Sequence, residues 1–403
     1  MLGAVVILAV AFAGGTLTTP LYPIYQRVQG FSQITLTLVF GAYVIGTLAV
    51  LVGLGRVSDQ IGRRVTALAG LGAGAVGTVV FLIFPESTAA LFVGRVASGL
   101  SVGLVTGAAT AWIAELHPRG DRAAAALVAA VGNVLGIGLG PLLSGVIADV
   151  APAPLRLPFV AFAMLVAGAV VVAVRLRETV ERAVPVRALE LRPRFGVPRE
   201  IRSRFVAPSL AGASIFAVFG FYSAIAPSFL GRELGHTSHA LAGAIVLELC
   251  LSAVGAILIS RRRSNRTAML GGLAVLIAGL AIVVIAEETR SFAVFVIATA
   301  VTGLGFGPGY RGSLEALNLI APAERRAEVI SSYFIFCYLG LSVPIVGIGL
   351  ASAATSLATA STIFAATVAL LALVALVLGA RTLPRDDPAT PPAHQRATEN
   401  ATS

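Results

Sequence analysis

Lysine is absent from the 403 residues, so all 29 basic side chains are arginine. An alanine-, glycine- and arginine-rich composition explains that more simply than a need for bidentate chemistry at every site. Charge as a whole is scarce: 12% of the residues are charged and 57% are hydrophobic, where a soluble domain carries roughly 25% charged. A soluble globular fold is thereby excluded, and the formal charge of +10 reflects where the arginines sit rather than an affinity for nucleic acid. The two cysteines, Cys250 and Cys337, fall inside apolar runs and read as small buried side chains, so neither a disulfide nor a metal site is expected. Of the four histidines, His236 and His239 could share a helix face, but without further ligands they read as solvated loop residues. No basic stretch precedes the first apolar run and no small-residue cleavage pattern follows it. Residues 1 to 22 therefore read as a first membrane helix and not as a signal peptide.

What is present is a series of apolar segments near 1–22, 32–54, 65–84, 88–113, 123–148 and 156–175, then 207–230, 238–260, 267–286, 291–314, 328–350 and 356–380. Each holds the roughly 20 residues a helix needs to cross a bilayer. The pattern predicts an all-α integral membrane protein with an N-terminal six-helix bundle (1–175), a linker (176–206), a C-terminal six-helix bundle (207–380) and a tail (381–403) that reads as disordered. The linker carries nine arginines counting Arg175, with Glu178, Glu181, Glu190 and Glu200, and is too polar to span. It is expected on the inner membrane surface as broken amphipathic helix. With the N-terminus inside, the inner loops and tail hold 23 arginines, and only Arg27, Arg156, Arg232 and Arg290 lie outside. That asymmetry orients both termini to the cytoplasm. The halves are alike at an offset of about 204 residues, a repeat expected of transporters: Gly99 and Gly103 match Gly303 and Gly307, Pro118 matches Pro322, and Pro141 nearly matches Pro344.

Between the second and third apolar runs stands GRVSDQIGRR, Gly55 to Arg64, with one carboxylate and three arginines. Gly55 allows two helices to turn back closely, and Gly62 frees the backbone before the next helix. Asp59 stands near a helix N-terminus, where a carboxylate is stabilised, and Arg63 and Arg64 are placed to anchor the following helix in the headgroup layer. Gly55, Asp59, Gly62, Arg63 and Arg64 fill every position of the pattern found between helices 2 and 3 of the major facilitator superfamily, which this stretch resembles. The resemblance implies a twelve-helix transporter in which this hinge gates the inner side. In the second half the corresponding stretch is degraded to Arg261-Arg-Arg-Ser-Asn-Arg266, without an aspartate.

Three further stretches resemble the same superfamily, most closely its twelve-helix drug and proton antiporters. Arg95, Gly99 and Gly103 are similar to the helix 4 motif with its buried arginine. An arginine inside a span either snorkels outward or, as the resemblance implies, contacts the first helix and tunes a nearby protonation site. Gly138, Gly140, Pro141, Ser144 and Gly145 resemble the helix 5 motif associated with exporters, with serine at one glycine position; ordinary small-residue packing is the alternative. Ala13-Gly14 followed by Pro20 and Pro23 looks like the helix 1 signature of the antiporters, but that segment has no acidic residue where many relatives carry a proton.

Glu248 is a carboxylate near the middle of an apolar run, about 15 Å into its span. It is either a structural hydrogen-bonding group or the proton-coupling site, with Arg95 biasing its affinity. Arg311 and Glu315, four apart on one helix, read as an ion pair. Tyr22, Asn133, Phe216, Phe219, Tyr222 and Glu248 are the candidate cavity residues, although an aromatic stripe at helical spacing also serves packing. The expected activity is proton-coupled export of a small hydrophobic compound by alternating access, without a cofactor beyond the proton gradient, from a monomer in the cell membrane. A proton-coupled symporter importing a metabolite shares the hinge but does not need the exporter-type motif. A membrane enzyme or non-transporting receptor would require a catalytic cluster or an added soluble domain, and neither is evident.

Overall fold

The computed structural model describes residues 1–55, 57–180 and 195–384. Arg56, the centre of the arginine-rich linker and the tail from 385 lie outside the described residues. Among the described residues, twelve helices are long and apolar enough to cross a membrane: α1 Leu2–Gln29, α2 Gln33–Gly53, α3 Arg63–Ile83, α4 Thr88–Glu115, α5 Ala124–Val150, α6 Leu157–Arg175, α7 Arg199–Arg232, α8 His239–Ser260, α9 Asn265–Thr289, α10 Phe292–Ile320, α11 Arg326–Ala354 and α12 Leu357–Thr382. In hydrocarbon each backbone polar group has to be satisfied within its own segment, and the helix does this. Serines begin many of them: Ser32, Ser87, Ser238, Ser264, Ser291 and Ser356 each accept a hydrogen bond from the N–H three residues on, filling one of the orphan donors of a first turn. α7 starts at Arg199, inside the stretch the sequence assigned to the linker. α1 is broken by a short 3-10 turn at Thr19–Leu21, and α7 carries a π turn at Phe221–Ile225.

The first six and the last six helices form two bundles related as the sequence repeat requires. In the first, a β-carbon at Gly99 would collide with the Tyr43 carbonyl oxygen of α2, and one at Gly103 would stand 2.7 Å from Val50 Cβ. In the second, a β-carbon at Gly303 would stand 2.6 Å from the Leu249 carbonyl of α8, and one at Gly307 would collide with that of Ala253. The same two glycines thus seat α4 on α2 and α10 on α8. Between bundles, α5 packs on α8 and α2 on α11.

A cavity between the two bundles

The two bundles meet tightly at the end of the molecule away from the arginine clusters. On α5, a β-carbon at Gly145 would collide with the His239 carbonyl, and one at Gly138 would stand 3.0 Å from Leu247 Cα; Gly243 of α8 in turn lies against the Pro141 carbonyl. Gly349 of α11 touches Thr37 of α2. Asp149, at the end of α5, accepts from Ser238 Oγ at 2.7 Å and from the backbone N–H groups of His239 and Ala240 at 2.9 Å. His239 Nδ1 lies 2.9 Å from the Pro20 carbonyl. His239 is thus part of this closure and opens α8, where the sequence suggested a solvated loop. A carboxylate at the C-terminus of its own helix opposes that helix's dipole, and this was the sequence signal that Asp149 serves another element.

From this closed end a cavity of about 370 Å³ runs between the bundles towards the arginine-rich end. It reaches Gly55 on one side and Ala327 at the start of α11 on the other, both exposed. Phe40, Tyr43, Phe216, Phe219, Phe306 and Tyr338 are among its lining rings, with Thr16, Thr47, Asn133 and Ser223 among the polar groups. Of the residues singled out from the sequence, Asn133, Phe216, Phe219 and Arg95 line it; Tyr22, Tyr222 and Glu248 do not. Tyr22 is fully buried and its hydroxyl lies 3.3 Å from Thr18 Oγ1, in the interrupted stretch of α1. Tyr222 is fully buried against Phe221 and Phe295. Glu248 is half-buried on the stripe of α8 that carries Leu251 and Ile259, which are 51% and 83% exposed on the outside of the bundle. Position along a span was readable from the sequence, but the direction each residue faces was not.

Arg95 does not snorkel. It is 1% exposed, and its Nη1 donates to the Gly15 carbonyl at 2.6 Å and lies 3.4 Å from Thr18 Oγ1. The guanidinium sits over the rings of Tyr43 and Phe40, 4.7 and 5.5 Å from their centroids. The helix 5 motif joins both neighbours of α5. Gly140 lies against the Ala13 carbonyl of α1, while Gly138 and Gly145 face α8. Pro141 cannot donate to Ile137, four residues back, and the freed Ile137 carbonyl accepts from Thr16 Oγ1 at 2.9 Å instead. Ser144 Oγ donates to the Leu17 carbonyl at 2.6 Å, so the serine that stands at a glycine position ties α5 to the break in α1.

The hinge is more enclosed than its sequence suggested. Arg63 is 8% exposed and turns inward instead of reaching the headgroups: its guanidinium binds Asp59, donates to Ser58 Oγ at 2.8 Å and to Glu115 at 2.8 Å. Asp59 lies on a one-turn helix, Val57–Ile61, and does not cap α3. That role falls to Glu178, just beyond α6, which accepts from the N–H groups of Arg63 at 3.0 Å and Arg64 at 2.9 Å. Gly62 has φ +104°, and a β-carbon there would stand 2.7 Å from the Glu178 carboxylate, so this position requires glycine twice over. Burial pushes the Glu178 carboxyl up, but the backbone N–H groups of Arg64, Val180, Arg63 and Thr179 outweigh it and hold the group below the usual carboxylate range. Trp112 Nε1 donates to the Arg177 carbonyl at 2.8 Å, and Thr179 Oγ1 binds Glu115, which fixes the same segment to α4. In the second bundle the Arg311–Glu315 pair is present at 3.1 Å, and Arg311 also donates to the carbonyls of Ser260 and Arg263 at the end of α8.

Two six-helix bundles around a central cavity, with a charged hinge after the second helix, are the arrangement of the membrane-transporter folds built from paired repeats. The chain belongs to the Major Facilitator Superfamily, whose family model matches residues 4–343. Among curated relatives, the quinolone resistance protein NorA of Staphylococcus aureus (strain Mu50) is 28% identical over 149 residues, 37% of each chain. An uncharacterized MFS-type transporter, MJ1560, of Methanocaldococcus jannaschii is 24% identical over 130 residues, 32% of this chain and 33% of that one. The chain thus spans about a third of the length of these relatives. A bacterial homolog of the human lysosomal transporter Spinster, in an inward-facing and unoccupied conformation, matches with TM-score 0.69 and 14% identity over 96% of this chain and 98% of that one. Its inward-facing, occupied form matches with TM-score 0.68 and 17% identity. These structures establish the shared fold.

Proposed function

We propose that this protein exports a small, moderately hydrophobic compound in exchange for protons, with both termini in the cytoplasm. One observation carries the reading: an aromatic cavity lies between the bundles, sealed at the end away from the arginine clusters and reaching the end where they gather. With the arginine-rich end in the cytoplasm, this is the loading state of an exporter. The transport cycle then opens the α5–α8 and α2–α11 contacts and closes the hinge side, where Asp59, Arg63 and Glu115 are already engaged. The exporter-type helix 5 motif supports the same reading, because its Gly138 and Gly145 form the α5–α8 seam that must part, while Gly140 holds α5 on α1.

For the proton we propose Glu248, without the bias expected of Arg95, because Arg95 lies in the first bundle against the neutral Gly15, Thr18, Tyr43 and Phe40 while Glu248 faces outward on α8. Glu248 stands nine residues into α8, about 14 Å along the helix. Because it faces away from the cavity, its protonation acts through the seating of α8 on α5 and not by touching the cargo. A carboxylate kept at this depth is expensive, and function is the default explanation. The test is uptake of a dye and drug panel into everted vesicles under an imposed pH gradient. Glu248→Gln should bind cargo but lose accumulation driven by that gradient. If the glutamine variant still accumulates cargo and still responds to pH, the proton travels elsewhere.

A further inference from the structure

The charge balance of the cavity points to the kind of cargo it holds. Among the described lining residues, Arg95 is the one side chain carrying a full charge, and no carboxylate is present. Every group that touches its guanidinium is neutral: the Gly15 carbonyl, the Thr18 hydroxyl and the faces of Tyr43 and Phe40. Its Nε is buried and has no hydrogen-bond partner. A buried cation is ordinarily matched by an anion, since its desolvation is otherwise offset only in part. Here the matching charge is missing from the wall, so the sealed end of the cavity is electropositive. Asn133 of α5 also lines the cavity, and its carbonyl oxygen, Oδ1, is likewise buried without a partner. The remaining surface is aromatic rings, aliphatic side chains and neutral hydroxyls such as those of Thr16, Thr47 and Ser223, and about 370 Å³ accommodates a compound of one or two fused rings.

We propose that the cavity takes flat aromatic compounds bearing a negative charge, such as ring carboxylates, and disfavours aromatic cations. The ring stacks among Phe40, Phe216, Phe219 and Phe306, and the anionic group lies towards Arg95. The anion supplies the counter-charge that the wall lacks, while a cation meets the guanidinium with nothing to screen it. This rests on the export reading only in taking the cavity as the cargo site.

The test uses titration calorimetry on the full chain in detergent, with micelle-only blanks and two ligands of one scaffold. Naphthoate and naphthyl-trimethylammonium differ chiefly in the sign of their charge. For a charge within about 8 Å of Arg95 at an effective dielectric constant of about 20, the anion should bind at least about tenfold more tightly. Asn133→Asp keeps the side-chain shape and adds the missing negative charge, so it should shrink or reverse that preference. Equal or tighter binding of the ammonium by the unmodified protein would overturn the inference and leave the cavity as cargo site. An unchanged preference in Asn133→Asp would place the ligand elsewhere and also overturn it. Binding of neither ligand would overturn both this inference and the cavity assignment on which the export reading stands.

Discussion

Asp149 is the most consequential single carboxylate at the closed end, and its removal should tilt the protein towards the opposite conformation. It belongs to α5 but caps α8, accepting from Ser238 Oγ and from the N–H groups of His239 and Ala240. The capping bonds exist only while the bundles touch at this end. Loss of a helix N-cap costs about 1 kcal/mol, and loss of a carboxylate from a helix N-terminus a further 0.3–1 kcal/mol or so. Asp149 is exposed to solvent, so the lower part of that range applies in salt. A destabilisation of about 1–2 kcal/mol changes a two-state ratio by about 5- to 30-fold. Asp149→Ala should therefore raise the population open at this end by that factor. Asp149→Asn retains an acceptor and should fall between. Spin labels at Glu86→Cys and Arg290→Cys, with Cys250 and Cys337 replaced by alanine, would report the opening as a longer distance component. An unchanged distance distribution in Asp149→Ala would show that the α5–α8 glycine contacts alone hold the gate and that the cap contributes nothing.

Other outcomes follow from the hinge and from topology. Asp59→Ala should abolish transport while leaving the protein inserted, with Arg63→Ala nearly as harmful because Glu115 and Asp59 both lose their partner, and Arg64→Ala milder; transport assays on membranes matched for protein content would decide. Glu178 has a carboxyl held below its unfolded value, so its contribution to stability is present above the ordinary glutamate range near pH 4.3 and disappears as pH falls through the depressed folded value. Thermal unfolding across acidic pH should show that loss in the unmodified protein and a flatter profile in Glu178→Gln. Reporters fused after residues 60, 190 and 390 should read cytoplasmic and those after 28, 86 and 234 external; an external signal from the fusion at 190 would overturn the orientation.

The sequence by itself determined the number and course of the helices, because bilayer thickness and the need to satisfy the backbone impose a length that composition displays directly. It also determined the repeat: Gly99 and Gly103 against Gly303 and Gly307 mark the same helix seams in both bundles. The arginine distribution and the hinge pattern likewise needed no coordinates. Only the tertiary structure decided which way each helix faces. It turned Phe216, Phe219 and Asn133 into the cavity, buried Tyr22 and Tyr222 elsewhere, and set Glu248 on the outside with Leu251 and Ile259. In a soluble protein a polar stripe would have revealed those directions, but lipid is as apolar as a protein core, so a spanning helix is hydrophobic on every side. The same holds for partners far apart in the chain. Glu178 reaches the start of α3 from the end of α6, and Asp149 reaches α8 from the other bundle. No local pattern encodes either meeting, because each depends on where two separately folded helices end in space.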